Sequence, residues 1–145
     1  MSLLSALSVS ASGMAAQRTR SELLVENIAN SETTRTAEGG PYRRKDAVFG
    51  STPVPSAFSS LLDDQMNSSL MGVTVADIAV DTREPERRYM PGHPDADKDG
   101  YVAMPRVNPA EDMVDLMGAS RGYQANVSAI SAIKDMIQRS IDLLR

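Results

Sequence analysis

Three aspartates at alternate positions are the residues in this sequence that most invite a chemical interpretation. Asp95, Asp97 and Asp99 stand in the order of the first half of a helix–loop–helix calcium loop, and carboxylates at this spacing could ligate a hard cation. The twelfth position of such a loop requires a bidentate glutamate, but here it is Arg106. The pattern therefore predicts an ordinary turn, with a weak calcium site as the alternative and with no resident metal or cofactor.

Other side chains that carry catalysis do not occur in a recognisable arrangement. His93 is the only histidine, cysteine is absent, and the sequence contains neither a glycine-rich phosphate loop followed by lysine nor a nucleophile elbow. Basic residues cluster at 43–45 and 87–88, but acidic residues adjoin both clusters. Solvated strand faces or salt bridges between subunits are expected there rather than phosphate binding. The sequence thus predicts a protein that is not an enzyme and has no small-molecule substrate.

The overall composition excludes several classes of partner. A formal net charge of −4 does not favour nucleic acid or an anionic membrane surface. No run of about 18 apolar residues occurs, so no membrane span is expected. Residues 1–16 lack the positively charged start of a cleaved secretory signal. With two Phe, four Tyr and no Trp, the apolar content suits seams between helices better than a large aromatic core.

One long helix is expected over residues 108–145. Apolar residues recur there at alternating steps of three and four, interrupted only by Ser120 and Lys134, which is the a/d pattern of a helix that packs along another helix. Asn108 is a suitable N-cap and Pro109 a suitable first residue. The residues predicted to line the seam within the chain are Met113, Leu116, Tyr123, Val127, Ile130, Ile137, Ile141 and Leu144.

The opposite face of this helix is small and apolar, where a charged face is usual. It comprises Gly118, Gly122, Ala125, Ala129, Ala132 and Met136. Helix propensity explains the alanines, but each glycine costs about 0.8–1.0 kcal/mol relative to alanine. We therefore expect a helix of a neighbouring subunit to approach closely at this face. The alternative is an alanine-rich surface that has no partner.

The N-terminal unit, residues 1–33, is expected to be a second long helix. It has the same three–four spacing, and Asn30 followed by Ser31 indicates its end. Its predicted contribution to the seam is Leu4, Leu7, Met14, Val25 and Ile28. Its opposite face, assigned to the subunit interface, contains Ala6, Val9, Gly13 and Ala16.

Residues 34–107 differ in composition from both helical segments. Seven of the eight prolines and six of the nine glycines lie there, which marks a non-helical insert. Strands are predicted at 42–49 and 73–80, a hairpin from 87–90 and 100–104, and a mobile loop at 51–71. The predicted fold is therefore mainly α, with two long terminal helices in a coiled-coil-like stalk joined by a small arm that contains a β-hairpin.

Several short motifs resemble those of the flagellar axial proteins, the family of rod, hook and hook-associated subunits. Near the N-terminus they are the run Ser-Gly-Met-Ala-Ala-Gln at 12–17 and the residues Asn27, Ala29 and Asn30. Further along they include Gly100, Tyr101 and Val102, and then Tyr123, Gln124, Ala125 and Asn126. Together with the runs at 89–97, 105–108 and 111–114, these motifs most closely resemble the proximal rod subunits of the family. Residues 51–71 carry no such motif.

The resemblance implies a structural subunit of the proximal rod of the bacterial flagellar basal body, in a shaft that transmits torque across the periplasm. It also implies export without a cleaved signal and polymerisation through the terminal helices. The implied partners are copies of the chain, other rod proteins, and adjacent ring and export-gate components. The residues by themselves leave two other hypotheses open, namely a soluble helical adaptor and, less favoured, a calcium-dependent binding module.

Overall fold

Two long antiparallel helices, α1 (Leu3–Ala29) and α2 (Pro109–Asp142), pack against each other in the computed structural model, which describes residues 3–53 and 70–143. Between them, the described residues form four strands, which are β1 (Lys45–Pro53), β2 (Met71–Val80), β3 (Glu86–Tyr89) and β4 (Tyr101–Met104). The prediction of a mainly α chain with small β-hairpin elements is confirmed. Leu144 of the predicted seam and residues 54–69 of the predicted mobile loop lie outside the described residues.

Helix α2 begins where the sequence indicates. The side-chain Oδ1 of Asn108 accepts a hydrogen bond of 3.2 Å from the backbone N–H of Ala110, and Pro109 occupies the first helical position. Glu111 and Asp112 lie in the first turn, where the positive end of the helix dipole favours negative charge. With 34 residues against the 27 of α1, α2 is about 50 Å long and the longer of the two.

Strands β1 and β2 form an antiparallel pair that packs on α1. The register runs from Lys45 opposite Val80 to Pro53 opposite Met71, with a bulge between Val48 and Phe49. The predicted loop at 51–71 is therefore corrected at both ends, because residues 51–53 and Met71 are paired strand residues. Pro53 does not prevent this pairing, since it stands at the last position of β1, where no further ladder hydrogen bond depends on its nitrogen.

Strands β3 and β4 form the second hairpin, with Tyr89 opposite Tyr101. The two rings pack edge to face, with their centroids 5.4 Å apart. Gly100 precedes β4 with a φ of 79°, and a Cβ atom at this position would lie 2.9 Å from the Tyr89 ring. Both the backbone conformation and the lack of space therefore require glycine here.

The buried core is small and is divided between the helix pair and the insert. Its apolar members are Ala16, Leu23, Leu24, Tyr42, Val102, Ala119 and Ile133. Two polar side chains, Asn27 and Asp112, are completely buried. Many large apolar side chains of α2 remain exposed, as do several on β1 and β2. In the parts of the chain that the structure describes, no helix is both long and apolar enough to cross a membrane.

Candidate assembly interface

Helices α1 and α2 meet through small residues. Ala16 is 3% exposed and Ala119 is 1% exposed. The Gln17 side chain lies over Gly122, where a Cβ atom would be 3.2 Å from the Gln17 Cδ. The Asn126 side chain lies over Gly13, where a Cβ atom would be 3.0 Å from the Asn126 Oδ1. The absence of a side chain at both glycines therefore permits the observed helix separation.

This contact corrects the sequence-based assignment of the helix faces. Gly13, Ala16 and Gly122 are predicted to face neighbouring subunits, but Gly13 and Gly122 lie between the two helices of one chain and Ala16 is buried within it. Six residues of the predicted seam are instead exposed, namely Leu4, Val25, Met113, Tyr123, Val127 and Ile141. Six others are half-buried, namely Leu7, Met14, Ile28, Leu116, Ile130 and Ile137. The physical reason is that interaxial distance depends on the side chains at the contact, and large a/d residues on both helices would hold the axes apart.

The rest of the predicted subunit surface on α2 is not covered by the described part of the chain. Val114 is not among the predicted interface residues, but it adjoins them, and we call the surface formed by Val114, Gly118, Ala125, Ala132 and Met136, all of which are exposed, the open α2 face. Their spacing of four and seven residues puts them on one side of the helix. Apart from its chain neighbours and the backbone of its own helix, no atom of the described residues lies within 4 Å of the Cβ position at Gly118. Of the other predicted interface residues, Ala129, Ala6 and Val9 are half-buried.

The exposed seam residues of α2 form a second apolar flank. Met113, Tyr123 and Val127 are separated by ten and four residues, so they lie on one side of α2. Gly118 lies on the opposite side of the contact between α2 and α1. Helix α2 therefore presents apolar or small residues on both sides of its contact with α1. In a single chain these two flanks face solvent, which is the surface pattern of a helix that has further helical neighbours.

Asn27, from the motif at 27–30, joins α1 to the insert. Its Oδ1 accepts hydrogen bonds from the Tyr42 hydroxyl (2.9 Å) and from the backbone N–H of Lys45 (3.0 Å), and its Nδ2 donates to the Lys45 carbonyl (2.9 Å). The Lys45 ammonium also lies 2.6 Å from the Glu26 carboxylate. Burial, followed by the nearby Glu26 carboxylate, raises the pKa of Tyr42 to about 12, so the phenol remains a donor at neutral pH. The start of β1 is thus fixed to the end of α1.

A buried ion pair joins the insert to α2. The guanidinium Nη2 of Arg44 lies 2.9 Å from Oδ1 of Asp112 and 3.3 Å from Oδ1 of Asp46. Asp112 is completely buried, and neither of its carboxylate oxygens accepts a hydrogen bond from the described residues. Burial raises the pKa of Asp112, and the opposing attraction of the Arg44 charge is the smaller effect.

We expect the wild-type chain to become more stable relative to the Asp112→Asn variant as the pH falls from about 7 to about 4.5. The folded-state pKa of Asp112 lies above its unfolded value, so the cost of burying the charge disappears as the pH drops through the folded pKa. Urea midpoints measured across this range provide the test. A pH-independent difference between wild type and Asp112→Asn would contradict the prediction.

The three aspartates of the calcium-like run do not converge on one point. Oδ1 of Asp97 accepts hydrogen bonds from the backbone N–H groups of Asp99 and Tyr101, at 2.9 Å each, which closes the turn before β4. Oδ2 of Asp95 accepts a bond of 2.8 Å from the Thr34 hydroxyl. Among the described residues, no group of three or more His, Cys, Asp or Glu side chains could hold a metal ion. This geometry supports the turn over the calcium site.

The basic cluster at 43–45 is engaged within the chain. Nη1 of Arg43 donates to the backbone carbonyls of Asp81 (3.0 Å) and Arg83 (3.3 Å), while Arg44 and Lys45 form the ion pairs described above. Arg83 in turn pairs with the Asp81 carboxylate and is the main cause of lowering its pKa to about 2. These contacts fix the ends of the first β-pair to each other.

The sequence did not predict the contacts of Gln17 or Asp112, and Arg44, expected in a solvated face or a salt bridge between subunits, instead pairs with Asp112 of its own chain. Arg44 and Asp112 are 68 positions apart, and no local pattern marks an ion pair at that distance. For Gln17 a signal does exist, because Gly13 and Gln17 are separated by four residues, as are Gly122 and Asn126. Two matching glycine–amide spacings on two predicted helices indicate that the pairs can engage each other.

Comparison with known proteins identifies similar chains over the full length. Residues 98–143 match the family model described as flagellar basal body rod FlgEFG protein C-terminal. The chain is 38% identical to the flagellar basal-body rod protein FlgC of Borreliella burgdorferi, with 100% of this chain and 99% of the relative covered. It is 39% identical to the FlgC protein of Bacillus subtilis, with 99% of each chain covered. It is 35% identical to that of Salmonella typhimurium, with 99% of this chain and 98% of the relative covered.

Proposed function

The chain belongs to the FlgC family of flagellar basal-body rod proteins, and from this premise we propose that it is a structural subunit of the proximal rod, polymerising through α1 and α2 into a torque-transmitting shaft. Its place is then the periplasmic rod of the bacterial flagellar basal body. Its role is mechanical and involves no catalysis or cofactor.

The main support for this mechanism is the open α2 face together with the apolar flank around Val127. A helix that packs on one side only normally presents charged residues to water elsewhere. Here small residues on one flank would admit a neighbouring helix at short distance, and the large residues on the other flank would fill the space between subunits. Contacts of this heterologous kind, repeated without ring closure, build a helical filament.

The same proposal assigns a structural role to each segment of the chain. Residues 1–33 and 108–145 form the axial core, a coiled-coil-like stalk when packed among neighbours, and residues 34–107 form an arm on its outer side. Asn27, Arg44 and Asp112 hold that arm on the stalk. Because the arm is held on the stalk, it could transmit torque to adjacent subunits without rotating relative to α1 and α2 of its own chain. The partners are copies of the chain, other rod proteins, and the ring and export-gate components at the ends of the rod.

The decisive experiment is purification of hook–basal bodies from cells that express this chain as their only FlgC protein. We expect the chain to remain with the basal bodies after detergent extraction, and deletion of its gene to abolish swimming. The matched control is the same strain complemented with the wild-type gene, which should swim. Recovery of the chain solely as a soluble complex of defined stoichiometry, in cells that still swim, would favour the adaptor hypothesis over the rod subunit.

A further inference from the structure

The contact between α1 and α2 contains two glycine–amide pairs that oppose each other. On α1, Gly13 is followed four residues later by Gln17, and on α2, Gly122 is followed four residues later by Asn126. Because the helices are antiparallel, the amide of each helix lies over the glycine of the other. Asn126 is held in this position by a 2.9 Å hydrogen bond from its Nδ2 to the Gly122 carbonyl.

We propose that these two pairs determine the axial register of α1 against α2. The inference concerns the packing of α1 against α2 within one folded chain and does not rest on the proposed rod function. A contact made only of apolar and small residues allows one helix to shift along the other by one turn, because each residue is then replaced by a similar one. Specific polar side chains at such a contact fix register, usually at some cost in stability. The buried Oε1 of Gln17, which has no hydrogen-bond partner among the described residues, is consistent with such a cost.

The alternative registers show why two pairs are needed. A slide of one turn in one direction would bring Gln17 opposite Gly118, which has free space, so the Gln17 pair alone would permit it. The same slide would bring Asn126 opposite Val9, which has a β-branched side chain in place of a glycine. A slide in the other direction would bring Gln17 and Asn126 against each other. Only the observed register gives both amides a glycine.

Spin-label distances test this proposal on the isolated full-length chain, which contains no cysteine. Single cysteines at the exposed positions Ser8 and Met117 are separated by about 20 Å along the helix axis, so a slide of one turn changes their separation by about 5 Å. We expect one narrow distance distribution in the wild-type background. In the Asn126→Ala background we expect a second population displaced by about 5 Å. A single unchanged distance in that variant, or a broad distribution in the wild-type background, would overturn the proposal.

Melting temperatures provide a second test that does not depend on labels. Gly13→Ala should lower the melting temperature in the wild-type background, because its Cβ would lie 3.0–3.2 Å from the Asn126 amide. In the Asn126→Ala background the same substitution should raise it, because the obstruction is gone and alanine is the better helix former. The control is Gly118→Ala, which meets free space and should raise the melting temperature in both backgrounds. The same sign for Gly13→Ala in both backgrounds would contradict the role of Asn126.

Discussion

Replacing Asn27 with alanine is expected to remove about 3 kcal/mol or more from the free energy of unfolding. The substitution leaves three groups without their partner, namely the Tyr42 hydroxyl and the backbone N–H and carbonyl of Lys45. A buried polar group that loses its only hydrogen bond costs about 1–3 kcal/mol. Because native domains are stable by only about 5–15 kcal/mol, this loss should shift the urea midpoint strongly and detach the insert from α1.

Asn30 is the matched control for this prediction. It belongs to the same motif, but its side chain makes only local contacts, donating to the Glu26 carbonyl and accepting from the Thr33 hydroxyl. Asn30→Ala should therefore cost about 1 kcal/mol or less. Tyr42→Phe, which removes one of the three contacts, should fall between the two variants. Equal losses for Asn27→Ala and Asn30→Ala would show that the bonds to Lys45 contribute little.

The elements of the fold could be predicted because their signals are local. The repeat of three and four, the Asn108 cap and the shift in glycine and proline content are each visible within one segment, and they place both helices and the insert. The strands followed from short runs rich in valine and aromatic residues. The ends of the strands could not be predicted in this way, because the pairing of Pro53 with Met71 depends on two segments that are separated in the chain.

The faces of the helices could not be predicted from the same signals. Large apolar residues at a/d positions suggest a seam, yet the surface with Gly13 and Gly122 packs inside the chain because it allows the shorter helix separation. Both surfaces of α2 are apolar, so hydrophobicity alone does not predict which of them packs against α1. The face that packs against α1 is determined by the fit of Gln17 over Gly122 and of Asn126 over Gly13. This fit can be recognised only when both helices are considered together.

The contacts that attach the insert to the two helices could not be predicted from sequence patterns either. Asn27 belongs to a motif that was identified by resemblance, but its hydrogen bonds to Lys45 require knowledge of where β1 begins. Likewise, Arg44 lies in a basic cluster for which a solvated face or a salt bridge between subunits is predicted, and Asp112 lies in the first turn of a helix, where acidic residues are ordinary. Their ion pair depends on the segment before β1 lying beside the start of α2, which is a tertiary contact.

The second large effect is expected from Gly118→Leu, which should abolish swimming while leaving the isolated chain folded. The Cβ position of Gly118 has no neighbouring atom within 4 Å, so a leucine fits without disturbing α1. It should even raise the melting temperature slightly, because leucine is a better helix former than glycine by somewhat less than about 1 kcal/mol. On the open α2 face, however, its side chain would hold a neighbouring helix away from a contact that small residues otherwise permit.

Gly122→Leu is the matched control, because it introduces the same side chain one helical turn away but against Gln17 inside the chain. That variant should lose stability as an isolated protein, and its failure to swim would follow from poor folding. For Gly118→Leu we expect a normal urea midpoint, normal cellular levels and no recovery of the subunit with hook–basal bodies. Helix α2 would thus use its two glycines for different neighbours, Gly122 for α1 of its own chain and Gly118 for an adjacent subunit. Wild-type swimming of the Gly118→Leu strain would instead mean that the open α2 face remains in contact with solvent in the assembled rod, and the subunit contacts would then have to be sought on the flank that contains Val127.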